Sequence, residues 1–299
     1  MKTFTELTLE TKALYDRHAG QLPGAATSAL YFQSLYAWNF TSVNRYKIID
    51  GHLCIVAEDK ITGKTFAYPP LGELDGGAFA SAARAVLDEF GGEGLPCAFH
   101  EVPGFMLPRF SSIEGYRAEV GYDRNWSDYV YMRDDLAKGI QKGSFRASRR
   151  EFERKFHPVA REITSSDKDA VRAVTQKFFC AGRYCSSCFC GCELEVVSRI
   201  MESWDELGMK GIVVESEGEA LAFGIVCFQK DTVFCISKKV RRRTRGLDSY
   251  LTAAMMDSIF AGYNYINYSD DLGNDGLREY KSGLAKHTLM HRYVVRLLK

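Results

Sequence analysis

The sequence predicts an α/β protein of mixed α+β type with two tandem domains of similar layout. The main observation is a repeated order of elements: 46–102 and 211–268 each show three strands, a loop, a helix and a fourth strand. A chain of 299 residues also suits two ordinary domains. We therefore expect a first domain at 1–158 and a second at 159–299.

Turn residues and apolar spacing support the two repeats. The predicted hairpin turns are Asp50-Gly51, Thr62-Gly63 and Glu217-Gly218, which are residue types that adopt the required backbone conformations. Helices are predicted at 78–90 and 247–261 because apolar residues recur there at helical spacing: Phe79, Ala83, Val86 and Phe90, then Leu247, Tyr250, Leu251, Ala254, Met255 and Ile259.

A long basic helix is predicted between the repeats, over 133–156. Gly139 and Gly143 weaken it, so the segment forms either one helix or two. Further helices are predicted at 167–180 and 193–207.

Composition limits the partners that the whole surface can attract. The net charge is +1, so binding to an anion must come from local clusters, and no DNA partner is expected. No apolar run reaches the roughly 18 residues of a membrane span, and no apolar segment typical of a signal peptide follows the first residues. We expect a cytoplasmic protein with mostly reduced cysteines.

The most distinctive local cluster is a cationic loop that precedes the second predicted helix. Six of the eight residues 238–245 are Lys or Arg. Arginine side chains, free backbone N–H groups and the positive end of the helix dipole would converge there on a phosphate-bearing ligand. The alternative is a solvated, charged turn. The candidates for cofactor binding are Arg241, Arg242, Arg243, Arg245 and Gly246.

Three segments together resemble a known family, that of the phosphatidylglycerol lysyltransferase C-terminal domain. They are 28–40, 128–156 and 263–284. The last is similar to the family's Asn-Arg-Glu-Asp-Asp-Leu-Gly signature and its following Leu-Arg and Lys. The matching residues are Asn267, Asp270, Asp271, Leu272, Gly273, Leu277, Arg278 and Lys281. Tyr268 and Ser269 stand where the family has Arg-Glu.

The resemblance implies two tandem GNAT-like acyltransferase domains, each with a mixed, mostly antiparallel sheet flanked by helices. It implies transfer of an acyl or aminoacyl group from acyl-CoA or aminoacyl-tRNA to an amine or hydroxyl. The second domain would bind the donor, and the first would be a scaffold or the acceptor side. The acceptor stays open: a small molecule, a lipid or a peptide.

The cationic loop also resembles the GNAT pyrophosphate loop, Arg/Gln-x-x-Gly-x-Gly/Ala. Residues 243–248 align with it, but Asp248 replaces the final small residue. A carboxylate at the start of a helix suits the helix dipole and opposes a bound phosphate. This position therefore disfavours ordinary acetyl-CoA binding.

The candidate catalytic residues follow the last predicted strand: Asp270, Asp271, Arg278, Tyr280 and Lys281. A carboxylate would accept a proton from the attacking amine, and a cation would stabilise the oxyanion or bind phosphate. By resemblance to GNAT enzymes, Tyr280 would protonate the leaving group. The alternatives are that Asp270 caps a turn, Arg278 pairs with Asp271 and Tyr280 packs in the core.

Two further groups of residues have open interpretations. Arg149 and Arg150 resemble a basic pair of the family and would contact a nucleic-acid or cofactor phosphate, or they belong to a solvated helix face. No metal is expected. A metal site, if present, would use Cys185, Cys188, Cys190 and Cys192, although no second Cys-x-x-Cys accompanies them.

A non-catalytic function competes with the transferase. The same arginine loop and basic helix would also suit a module that binds RNA or a nucleotide without chemistry. The sequence does not separate these two functions.

Overall fold

The structure is a computed structural model that describes residues 3–23, 27–74, 77–95, 97–180 and 192–299. It divides into two compact units. The first comprises Met1–Asp128 and Leu289–Lys299, and the second comprises Tyr129–Thr288.

The elements follow one another in this order along the chain. Up to residue 126 they are β1 (Thr5–Glu6), α1 (Lys12–Ala19), α2 (Phe32–Trp38), β2 (Ser42–Ile49), β3 (His52–Asp59), β4 (Thr65–Ala67), α3 (Ala78–Gly92), β5 (Phe99–Pro103), α4 (Leu107–Ser111) and β6 (Arg117–Tyr122). The others are β7 (Asp128–Met132), α5 (Arg133–Ile140), α6 (Gly143–Phe156), β8 (Val159–Glu162), α7 (Lys168–Val174), α8 (Glu193–Glu202), α9 (Trp204–Leu207), β9 (Lys210–Ser216), β10 (Glu219–Gln229), β11 (Thr232–Val240), α10 (Leu247–Asp257), β12 (Tyr265–Asn267), α11 (Asp275–Leu284), β13 (Thr288–Met290) and β14 (Arg292–Leu298).

The first unit is built on a seven-stranded sheet with the order β1-β2-β3-β4-β5-β14-β6. Strands β4 and β5 are parallel, and the other described pairs are antiparallel. The C-terminal strand β14 lies between β5 and β6, where it completes the sheet. The mixed, mostly antiparallel sheet predicted for this half of the chain is therefore confirmed.

The second unit repeats this layout with strands in the order β7-β12-β11-β10-β9-β8. Strands β11 and β12 are parallel, whereas the other pairs are antiparallel. Residues 221–227 of β10 are all buried. Such a continuous buried run indicates that both faces of the strand are covered. Helices α7 and α10 both pack on β10.

The boundaries of the units differ from the predicted boundary at residue 158. Strand β7 pairs with β12, with Tyr131 opposite Ile266, and α6 packs on α10, so both elements join the second unit. Strand β14 joins the first unit through β5 and β6. Each sheet thus takes a strand from the other half of the sequence, and no local pattern reveals pairings between strands so distant along the chain.

The basic segment between the repeats forms two helices, α5 and α6. Helix α6 ends at Phe156 and is capped by His157, whose left-handed backbone (φ 42°) precedes Pro158. Helix α6 lies against the start of α10 at Gly246, which has a φ of +84°. A Cβ atom on Gly246 would lie 2.0 Å from the backbone oxygen of Ser148. Glycine is therefore required there both by conformation and by space.

A bidentate ion pair fixes the start of α7. Arg161 of β8 donates to Asp167 from Nη1 at 3.0 Å and from Nη2 at 2.7 Å. Asp167 also accepts from the backbone N–H of Thr164 at 2.8 Å, and Arg161 reaches Glu215 of β9 at 2.7 Å. Hydrogen bonds from Arg161 hold the pKa of Asp167 below its ordinary value.

We predict that Gly246→Ala destabilises the protein. The new methyl group must push against backbone atoms, so the free energy of unfolding should fall by roughly 2–4 kcal/mol. Gly143→Ala is the matched control, because open space surrounds that first residue of α6, and it should stabilise by about 0.5 kcal/mol. Urea unfolding measures both values. Equal stability of the two variants would contradict the packing of α6 on α10.

We predict that Asp167→Asn lowers the free energy of unfolding by about 1–2 kcal/mol at pH 7. The folded-state pKa of Asp167 is depressed, so its stabilisation is complete above the unfolded pKa of about 4 and disappears as the pH falls through the folded value. The difference between wild type and variant should shrink below about pH 4. Asp169→Asn, at an exposed position of α7, should change stability by about 0.5 kcal/mol or less. A pH-independent difference would contradict this assignment.

Candidate functional site

The candidate site of the second unit lies where two parallel strands separate. Strands β11 and β12 pair only over 232–234 and 265–267. Beyond this point β11 continues to Val240, whereas the chain after β12 stays with β7: Tyr268 donates its N–H to the carbonyl of Tyr129 at 2.9 Å. The sheet is therefore split there, and side chains from β11, α10 and α11 meet beside the split.

A bulge in β11 sets which side chains point towards this place. Ile225 of β10 is opposite Ser237, and Val226 is opposite Cys235, so Ile236 has no partner in the register. One extra residue reverses the strand's alternation. Cys235 and Lys238 therefore share a face. Burial raises the pKa of Cys235 to about 11, and the positive charge of Lys238 acts in the opposite direction.

Lys238 is the central cation of the site. Its Nζ atom lies 2.6 Å from Oδ1 of Asp248, 2.6 Å from Oγ1 of Thr252 and 3.0 Å from the hydroxyl of Tyr280. These three contacts use all three ammonium donors. Burial lowers the pKa of Lys238, but the charge of Asp248 offsets this and the pKa lies above its ordinary value. Lys238 and Asp248 thus form a half-buried ion pair.

Asp248 connects this pair to the start of α10. It is the second residue of α10, where a negative charge interacts favourably with the helix dipole. Its Oδ2 atom accepts a hydrogen bond from the hydroxyl of Tyr280 at 2.6 Å. Burial and the adjacent Asp248 raise the pKa of Tyr280 well above its ordinary value, so the phenol stays neutral. We call Lys238, Asp248, Thr252, Tyr268 and Tyr280 the polar cluster.

Tyr268 is the remaining member of the polar cluster. Its ring packs edge-on against Tyr131, with centroids 5.5 Å apart, and against Phe260. The Nζ atom of Lys238 lies 5.5 Å from its centroid. The residue is 7% exposed, and its hydroxyl has no hydrogen-bond partner among the described residues. Burial raises its pKa well above the ordinary value.

Two of the predicted catalytic residues form an ion pair between a partly exposed arginine and a buried carboxylate. Arg278 donates to Asp271 from Nε at 3.0 Å and from Nη2 at 3.1 Å. Asp271 also accepts from the hydroxyl of Tyr129 at 2.7 Å and from the N–H of Gly273 at 2.9 Å. The structure contains the ion pair between Arg278 and Asp271, which is one of the two interpretations that the sequence left open.

Asp270 and Lys281 hold a turn at residues 268–273, which we call the signature turn. Lys281 is buried and donates to the carbonyls of Tyr268 at 2.6 Å, Ser269 at 3.4 Å and also Asp270. Asp270 accepts from the N–H of Leu272 at 3.2 Å. Ser269 and Leu272 have left-handed backbones (φ 58° and 51°) that side chains disfavour. These contacts stabilise a strained turn, and a catalytic role stays a prediction.

The arginine loop separates into one internal side chain and three exposed ones. Arg241 donates to the hydroxyl of Thr244 at 3.1 Å and covers the ring of Phe156. By contrast, the structure leaves three other side chains exposed: Arg242, Arg243 and Arg245. The close contact of Gly246 with α6 accounts for the presence of glycine at this position. The exposed arginines are the part of the loop that can meet an external phosphate.

Helix α6 adds a second group of cations beside this loop. Arg149 is half-buried, with Glu153 at 3.7 Å, whereas Arg150 is exposed. Arg150 belongs to a row of exposed cations with a spacing of four residues, which places them on one helix face: Lys142, Arg146, Arg150 and Arg154. We call these four residues with Arg242, Arg243 and Arg245 the basic surface.

The proposed metal ligands lie largely outside the described residues. Cys185, Cys188 and Cys190 belong to a segment that the structure does not describe, and Cys192 is a half-buried free thiol. Within the described ranges, no group of three His, Cys, Asp or Glu side chains could hold a metal ion.

No helix in the described parts of the chain is both long enough and apolar enough to span a membrane.

Sequence patterns do not reveal most of the polar cluster. They place Lys238 in the cationic loop, whereas it lies in β11, and they single out neither Thr252 nor Tyr268 as a site residue. These residues come from separate elements, so no spacing in the sequence connects them. Two signals are available in the sequence: Asp248, whose carboxylate interrupts the pyrophosphate-loop pattern, and Tyr280, a candidate catalytic residue by resemblance.

Several solved structures share this fold. A conserved protein of unknown function from Bacteroides thetaiotaomicron superposes with a TM-score of 0.87 at 21% identity, covering 99% of both chains. L-PGS from Bacillus licheniformis gives 0.66 at 15% identity, covering 99% of this chain and 94% of that one. A tandem GNAT protein from the clavulanic acid biosynthesis pathway gives 0.56 at 9% identity, covering 98% of both. The predicted tandem GNAT-like fold is confirmed.

Sequence comparison identifies the family. A search among curated protein sequences found no significant match. The family model described as phosphatidylglycerol lysyltransferase, C-terminal, matches residues 23–296 and includes both units and the signature turn. On this match over nearly the whole chain, the protein belongs to the phosphatidylglycerol lysyltransferase C-terminal family, with an acyltransferase-like GNAT fold.

Proposed function

We propose that this protein transfers an aminoacyl group from a charged tRNA to an amine or hydroxyl acceptor. The family match supports an aminoacyltransferase-like protein. Two observations support the choice of donor. They are the basic surface of the second unit and the carboxylate of Asp248 at the start of α10. The acceptor class remains a small molecule, a lipid or a peptide, with the first unit as a scaffold or as the acceptor side.

The start of α10 is poorly suited to the pyrophosphate of CoA. Asp248 already places a negative charge in the first turn of α10 and is neutralised by Lys238 at 2.6 Å. A phosphate at the same place would be repelled by this carboxylate. Ser148 of α6 also covers the backbone at Gly246. These features support a donor that binds elsewhere on the unit.

The basic surface suits a polynucleotide better than a single pyrophosphate. At a rise of 1.5 Å per residue, the row from Lys142 to Arg154 extends over about 18 Å. Several phosphates of an RNA backbone can contact such a row, each with its own cation. The exposed arginines 242, 243 and 245 add three further cations to the same unit, in the loop that precedes Gly246.

The chemistry requires little beyond positioning and polarisation. An ester carbonyl held against the attacking acceptor gains rate from proximity, and nearby donors stabilise the oxyanion. The polar cluster offers the positive charge of Lys238 and the hydroxyl of Tyr268, beside the split between β11 and β12. Charged tRNA is a cytosolic donor, in agreement with the cytoplasmic location expected from the sequence.

Binding of RNA without chemistry is the second candidate. One observation favours it: Asp271, Arg278 and Lys281 all contact groups of the second unit. These contacts give the three residues a structural role that requires no catalysis. The basic surface serves both functions equally. Turnover of the donor decides between them.

We predict that charged tRNA stabilises the protein whereas CoA and acetyl-CoA do not. Ligand at about 100 times its Kd stabilises by about 2.7 kcal/mol, which raises the Tm in a thermal-shift assay. The protein should also release a labelled amino acid from mixed charged tRNA to hydroxylamine, used as a simple acceptor amine, faster than the uncatalysed rate. A CoA shift that Arg243→Ala abolishes would reverse the choice of donor. RNA binding with no release of amino acid would favour the non-catalytic function.

We predict that the triple variant Arg146→Ala, Arg150→Ala and Arg154→Ala weakens tRNA binding by about 10- to 100-fold at 0.1 M salt, because each of these cations neutralises one phosphate. The slope of log Kd against log salt should fall by about 2. The matched control removes three exposed cations of the first unit: Lys60→Ala, Lys64→Ala and Arg117→Ala. Equally weakened binding by both triple variants would indicate non-specific attraction and contradict a defined surface.

A further inference from the structure

The second unit buries a hydroxyl group that none of its described residues binds. The hydroxyl of Tyr268 has no hydrogen-bond partner among the described residues, although the residue is only 7% exposed. Burying an unpaired polar group costs stability, and phenylalanine would fill the same space without this cost. The hydroxyl is therefore a disadvantage for folding alone.

The neighbouring phenols show what a structural tyrosine does in this place. Tyr129 donates to Asp271, Tyr131 donates to the carbonyl of Lys281, and Tyr280 donates to Asp248. Of these four neighbouring tyrosines, Tyr268 is the one whose hydroxyl has no hydrogen-bond partner among the described residues. An unused donor within a paired network points to a partner that is not part of the protein.

The surroundings of Tyr268 favour a partner that acquires negative charge. The ammonium of Lys238 lies 5.5 Å from the centre of the Tyr268 ring, and Lys281 donates to the backbone carbonyl of Tyr268 at 2.6 Å. Burial nevertheless raises the pKa of Tyr268 well above its ordinary value, so the hydroxyl remains a donor. Fixed donors and charges in a buried place stabilise an oxyanion far better than water does.

We infer that the hydroxyl of Tyr268 donates a hydrogen bond to the carbonyl oxygen of the donor's aminoacyl ester and stabilises the oxyanion formed on attack. The inference rests on the proposed function and deepens it. The acceptor nitrogen forms a bond to the carbonyl carbon, the ester C–O bond breaks, and a proton from the attacking amine ends on the released ribose hydroxyl. Tyr268 keeps its own proton throughout.

The test is Tyr268→Phe, assayed for tRNA binding, release of amino acid to hydroxylamine, and Tm. Turnover should fall by about 10²-fold, as expected when one oxyanion donor is removed. The Kd for charged tRNA should stay within about twofold of wild type, because the basic surface is unchanged. The Tm should equal or exceed that of wild type, because the Tyr268 hydroxyl makes no hydrogen bond to any described residue.

Tyr131→Phe is the matched stability control. Its hydroxyl donates to a buried carbonyl at 2.7 Å, so its removal should lower the Tm by a few degrees. A similar drop for Tyr268→Phe would show that the Tyr268 hydroxyl is structural and would overturn the inference. Full turnover by Tyr268→Phe would overturn it as well.

A second measurement separates this inference from the proposed function. If wild type binds charged tRNA but releases no amino acid, the transferase proposal fails. Binding of a 3′-aminoacylamino-adenosine, a stable amide mimic of the tRNA terminus, then tests the contact directly. About tenfold weaker binding by Tyr268→Phe supports donation to the carbonyl, and equal binding by both proteins overturns it.

Discussion

The half-buried ion pair between Lys238 and Asp248 is the interaction on which the candidate site depends. It joins a strand to the start of a helix and organises Thr252 and Tyr280 around one ammonium group. Removing one partner of such a pair leaves an uncompensated charge, which costs far more than the pair contributes. The pair also places a carboxylate at the last position of the pyrophosphate-loop pattern, and under the proposed function this carboxylate disfavours CoA as the donor.

The charged residues of the signature turn have a structural task, and their catalytic role stays a prediction. Lys281 donates to successive backbone carbonyls, and Asp271 accepts from Arg278 and from Tyr129. These contacts hold left-handed residues that would otherwise relax. The turn begins at Tyr268, so the motif's charges fix the position of a hydroxyl that the motif itself does not mark. Charged residues near a site can thus act through the backbone that they hold.

Under the proposed function, anion recognition would depend on which cations are exposed rather than on how many the sequence contains. The arginine loop is the densest run of cations in the sequence, yet Arg241 is engaged internally and Gly246 serves helix packing. The exposed arginines of the loop add to the cations that can contact phosphates, because α6 carries a regular row of cations in the same unit. An extended arrangement of cations suits an extended polyanion, whereas a compact anion needs convergent donors.

The sequence by itself determined the local elements, the repeated layout and the family, because periodicity, turn residues and the signature motif are local patterns. It also located the arginine loop and the anomaly at Asp248. Only the tertiary structure decided that β7 and β14 pair with strands distant in sequence, that Arg278 is bound to Asp271, and that the Tyr268 hydroxyl is buried without a partner among the described residues. These facts depend on which groups meet after folding. In addition, the bulge at Ile236 reverses the alternation of side chains along β11, so the sequence pattern alone would place these side chains on the wrong face.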